Sequence, residues 1–149
     1  MDWSRLCPRV DEGYVGPRWA LYFLALVAAV GTVRSLIHML ASDGGAQSIA
    51  GLAVGVEGGR NIVAVFGQWG ASQLVLALLV WLVVLRYRFL VPGMLAATLL
   101  EQLLRLGVGQ LKPMQVATVP PGAIGSWILL PLSCIALCAS LRGGTKAEG

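Results

Sequence analysis

Four ionisable side chains, Arg34, His38, Glu101 and Arg105, sit inside apolar runs long enough to span a bilayer. Charge at that depth is expensive, so such groups face a partner, a cavity or a ligand rather than lipid. Two guanidiniums against one carboxylate leave a positive excess, which suits an anionic or carbonyl-bearing ligand. Glu101 and His38 together would suit acid–base work on a lipophilic substrate. That second chemistry has less behind it, because no serine or cysteine nucleophile stands at a matching spacing. His, Cys and carboxylate groups at this depth are also too few for a metal site. His38 alone would serve a haem or chlorophyll, yet a lone helical histidine is more often a hydrogen-bonded structural residue.

Spacing and depth gather these groups. Arg34 and His38 are four apart, as are Gln68 and Ser72, and Glu101 and Arg105, so each helix carries a polar stripe on one face. At the helical rise per residue, Arg34 lies about 8 Å below the outer surface, Glu101 about 12 Å and Arg105 about 6 Å. Gln68 and Gln73 come out at about 9 and about 16 Å down the second span. The expectation is one outward-facing polar pocket made by Arg34, His38, Gln68, Gln73, Glu101 and Arg105. Outer-leaflet headgroups and quinone rings are its natural ligands, being present at that depth. The competing expectation is a network in which Glu101 pairs with Arg34 or Arg105 and merely joins helices. An offset of 67 lays Arg34, Ser35 and His38 on Glu101, Gln102 and Arg105, a faint echo of a two-plus-two repeat.

The elements that must hold these groups follow from composition. The 149 residues are 57% hydrophobic and 12% charged, with mean hydropathy +0.78, against about 25% charged in soluble domains. One membrane domain, 1–149, fills this length. Spans of roughly 20 residues cross the hydrocarbon, which predicts an all-α four-helix bundle with spans at 19–41, 62–85, 89–110 and 124–141. Pro92 falls in a first turn, where it is tolerated, and Pro131 is expected to kink the last span. No cleavable signal is expected, since 1–18 mixes acidic with basic residues. The net charge of +4 is scattered, with no basic run for nucleic acid.

Seven cationic residues, Arg5, Arg9, Arg18, Arg86, Arg88, Arg142 and Lys146, fall on one side, and only Arg60 and Lys112 on the other. That asymmetry places both termini in the cytoplasm, of a bacterial plasma membrane. The first outer loop, 42–61, is apolar over 46–56 and too short to span, so it reads as a surface or re-entrant helix, or as a packed loop. It is placed to cover the pocket. Trp81 fits neither interface belt and reads as a packing residue. Cys134 and Cys138, four apart, read as two small buried side chains on one face, and Cys7 adds no disulfide framework. Gly67, Gly70 and Ala71, and Gly93, Ala96 and Ala97, permit close helix approach, within the bundle or onto a homo-oligomer or larger complex. The apolar cytoplasmic half offers no polar path for an ion.

The segment Gly67-Gln-Trp-Gly-Ala-Ser-Gln73-Leu74, its apolar continuation and the basic turn Arg86-Tyr-Arg88 resemble the DoxX-like small four-helix membrane proteins. The resemblance covers about 34–106 and implies a small membrane component, sometimes associated with quinone-linked redox complexes. Gln73 stands where a glutamate is common in that family, and neither His38 nor Glu101-Gln-Leu-Leu-Arg105 belongs to its pattern. The leading expectation is a membrane protein binding a lipidic or quinone-like molecule, or an accessory subunit of a membrane complex. A membrane enzyme using Glu101 and His38 comes second and a small carrier third; no cofactor is specified.

Overall fold

The computed structural model describes residues 13–116 and 119–142, so Cys7, Arg5, Arg9 and Lys146 lie outside the described residues. Four helices follow in order: α1 (Arg18–Leu40), α2 (Gly59–Leu85), α3 (Val91–Leu111) and α4 (Pro121–Arg142), with one 3-10 turn at Arg88–Leu90 before α3. All four are long and apolar enough to cross a membrane. Two begin earlier than their apolar runs predict. Gly58, at φ 80°, turns the chain into α2, whose first residues Gly59-Arg60-Asn61 are too polar for hydropathy to register. Pro121 opens α4, where its missing N–H removes nothing the helix would use.

The helices pair as two hairpins. α1 packs closely along α2 and α3 along α4, while the seam between the pairs is thinner. Small residues set the tightness of the first hairpin. A Cβ on Gly70 would sit 2.7 Å from the His38 Cβ and 3.0 Å from the Ser35 carbonyl oxygen, closer than real side chains approach. The expected small-residue face of the third span behaves differently: Gly93 has open space around it, and Ala96 and Ala97 are exposed. These residues face away from the bundle.

One end of the bundle is an apolar core in which Leu24, Val91 and Leu95 are fully buried, together with Ala20, Ala28 and Ala136. Trp81 joins α2 to α1 above it, its indole N–H donating to the Thr32 hydroxyl at 3.2 Å. Tyr14 bonds Ser140 at 3.1 Å and so ties the residues before α1 to α4. Arg18, Arg86, Arg88 and Arg142 gather at this end, and Arg60 and Lys112 at the other. The lateral surface is rich in exposed Leu, Val and Ile, such as Leu26, Val33, Leu79 and Leu104. Apolar side chains all round a helix are what lipid requires.

One local expectation changes. Cys134 and Cys138 are exposed free thiols on that lateral surface, because α4 is apolar on every side and its buried face is instead Ser126, Ser133, Ala136 and Ser140. Pro131 lies inside the single helical run of α4, on its exposed side.

The 41–58 connection is a run of turns and extended backbone, not a helix. Gly44 and Gly45 at φ 60° and 71° reverse the chain in a conformation that only glycine adopts freely. The Asp43 carboxylate then gathers the backbone amides of Gly45, Gln47 and Ser48 at 2.9, 3.2 and 2.7 Å. Those bonds, from Ser48 and Gly45 above all, hold its pKa at about 2. Ala46 and Ala50 are buried beneath the segment.

Candidate functional site

The polar groups meet at the end of the bundle opposite the apolar core. Arg34, late in α1, donates to the Gln73 side-chain oxygen on α2 at 2.8 Å. Its guanidinium carbon also stands 5.3 Å from the centre of the Trp69 ring, one turn before Gln73. Arg105 on α3 approaches the same indole at 5.7 Å, so one aromatic ring receives cations from both hairpins. Arg105 is also ion-paired to Glu101 one turn earlier. The second Glu101 oxygen accepts from the Gln102 amide nitrogen at 2.8 Å. Glu101 is therefore occupied by its own helix. Among the described residues Arg34 has no carboxylate in ion-pair range.

A cavity of ≈ 150 Å³ lies between the hairpins and reaches all four helices. Arg34, Gln73, Glu101, Gln102 and Arg105 line its polar end, while Phe23, Val27, Leu76, Val80 and Leu129 line the rest. Leu26 and Val30 complete the wall and are themselves 61% and 56% exposed. The slot therefore opens sideways onto the apolar face of the bundle. At its polar end two buried atoms have no partner among the described residues, the Arg34 Nε and the Gln102 Oε1. Most buried polar groups in folded proteins are satisfied, so both leave hydrogen-bonding capacity unused at this end of the cavity; the Ser35 and Ser133 hydroxyls do the same away from it.

The expected six-residue set divides. Arg34, Gln73, Glu101 and Arg105 come together. His38 does not line the cavity. Its Nδ1 donates to the Gly44 carbonyl at 2.7 Å, which leaves Nε2 as the neutral ring's acceptor nitrogen. The ring packs against Phe66 and Trp69 at 5.4 and 5.0 Å between centroids. Gln68 is exposed, and its backbone oxygen accepts from Ser72. The 41–58 segment covers His38 and contributes nothing to the cavity wall. Of the offset-67 echo, Arg34, Glu101, Gln102 and Arg105 line the slot, whereas Ser35 and His38 do not.

Trp69 and Gln102 are the site residues that side-chain type alone missed. Each had a positional signal: Trp69 is one turn from Gln73, and Gln102 fell inside the offset-67 triplet. Gln73 acts as a neutral hydrogen-bond partner for Arg34. No cluster of three His, Cys, Asp or Glu side chains suited to a metal occurs among the described residues. A second, wider hollow of ≈ 600 Å³ lies at the other end, beside Pro17, Cys134, Cys138 and Arg142. Its cysteines and Arg142 are exposed, so it is a shallow groove with no buried polar group to recognise a ligand. Comparison with known protein families, characterised proteins and solved structures finds no match.

Proposed function

We propose that this chain is a small integral membrane protein that binds a lipidic or quinone-like molecule in the slot between its two hairpins. The ligand's polar head reaches Arg34 and Gln102, and its apolar body follows Phe23, Val27 and Leu76 toward the lateral opening. Both termini lie in the cytoplasm of a bacterial plasma membrane, with the polar end of the slot in the outer leaflet, as the arginine distribution favours. The observation that carries the reading is the pair of unsatisfied polar atoms at the polar end of a cavity whose remaining length is walled by apolar side chains. A purely structural network has an ion pair here, but it would also satisfy its own donors and acceptors.

Native mass spectrometry of protein released from lipid nanodiscs tests this. A retained lipophile is expected, and its occupancy should fall about tenfold in Arg34→Leu, the loss of one charge-assisted hydrogen bond. Absence of any adduct, with no thermal stabilisation by membrane lipid or quinone extracts, would sink the proposal.

Docking into a larger complex is a second reading, favoured by the exposed Gly93, Ala96 and Ala97 on one face of α3. Copurifying subunits that are lost in Ala97→Ile, with ligand retained, would establish it separately. The acid–base reading has weaker geometric support, since Glu101 lines the slot and His38 does not.

A further inference from the structure

The two unsatisfied atoms differ in sense, and together they describe a head group. Gln102 is 4% exposed and spends its amide nitrogen on Glu101. Turning the amide over would set its oxygen against a carboxylate, so the nitrogen faces Glu101 and Oε1 is left as an acceptor that lacks a donor. The Arg34 Nε–H is a donor that lacks an acceptor. A hydroxyl gives a proton to one and offers a lone pair to the other, as a water molecule would until a hydroxyl-bearing lipophile displaced it. An ammonium head would meet Arg34 and Arg105 instead. A carboxylate or phosphodiester would answer Arg34 but bring a second acceptor to Gln102. A carbonyl or ether likewise leaves Gln102 bare. The ≈ 150 Å³ available is close to that of an engineered cavity that takes up benzene, about 150 Å³.

We propose that the slot selects hydroxyl-bearing lipophiles over their carbonyl or ether counterparts, so that a quinol is held in preference to the quinone. This rests on the ligand-binding reading above. A monocyclic quinol and an isoprenoid alcohol share the required chemistry.

The test uses full-length protein in nanodiscs, titrated calorimetrically without oxygen. The probes are a short-tailed benzoquinol, its quinone, its dimethyl ether and an isoprenoid alcohol. The quinol is expected to bind about tenfold more tightly than the quinone or ether, the effect of one buried hydrogen bond made or left unmade. Comparable binding of the alcohol would identify any lipid alcohol as ligand, and its failure would identify the ring; both support the selectivity. Gln102→Leu should erase the preference while quinone binding persists. Equal or tighter binding of the quinone or ether to the unaltered protein overturns this inference and leaves the binding reading intact, as does a preference unchanged in Gln102→Leu. No binding by any probe overturns both. The unaltered protein decides the matter even if the variant fails to fold.

Discussion

Arg34 is the residue on which the site turns, because its charge meets an amide and an indole but no carboxylate in ion-pair range among the described residues. Gln73→Glu would give it one. The empty protein is then expected to melt about 2–4 °C higher, while ligand affinity drops about tenfold as Arg34 loses its unmet demand; thermal shift and calorimetry on the same preparation check both. Asp43 makes a pH prediction. Its pKa falls from an ordinary 3.8 to about 2 on folding, so its contribution is complete above the ordinary value and disappears as pH drops through the depressed one. Amide exchange at Gly45, Gln47 and Ser48 should accelerate across that interval and should already be fast at neutral pH in Asp43→Ala. How far the site could be read from sequence depends on angle as well as depth. Gln68 and Gln73 share a leaflet by depth, but five residues rotate a helix to about 140° apart, so only one faces the slot. His38 is one turn from Arg34, yet its ring is drawn to the Gly44 carbonyl by a turn that residue spacing on α1 does not encode.

Among elements, the helices were legible because each apolar run had to match the thickness of hydrocarbon, a constraint that acts on every residue of a span. The ends of α2 and α4 were not, since Gly58 and Pro121 act through backbone geometry while hydropathy counts side chains. The 41–58 connection was illegible for a related reason: its order comes from one aspartate collecting three amides, a pattern with no periodicity. Close approach within the first hairpin gives the sharpest element-scale prediction. Gly70→Leu would drive side-chain carbons into the His38 Cβ and the Ser35 carbonyl. A destabilisation of about 1–3 kcal/mol is expected from such overpacking. Gly93→Leu, with nothing near its Cβ, should be close to neutral in the same thermal melt unless a partner covers α3.

At the scale of the whole molecule, polarity is divided end to end, with an apolar core at one end and the slot's charged groups at the other. In a background with the three native cysteines replaced by serine, Lys112→Cys is expected to react with a membrane-impermeant maleimide from outside intact cells. Arg88→Cys should react only after the cells are opened. The reverse pattern would invert the assigned orientation. The thin seam between the hairpins bears on how the protein is made and kept together. The first pair is the more closely packed and is synthesised first, so it is expected to form before α3 and α4 join it across the slot. On the proposed reading, a molecule lodged there would touch Arg34 on one half and Gln102 on the other and so act as a rivet. Severed at the 3-10 turn and coexpressed, the halves are expected to reassociate most efficiently when that molecule is supplied, which would make the protein a small-molecule-dependent heterodimer held for convenience in one chain.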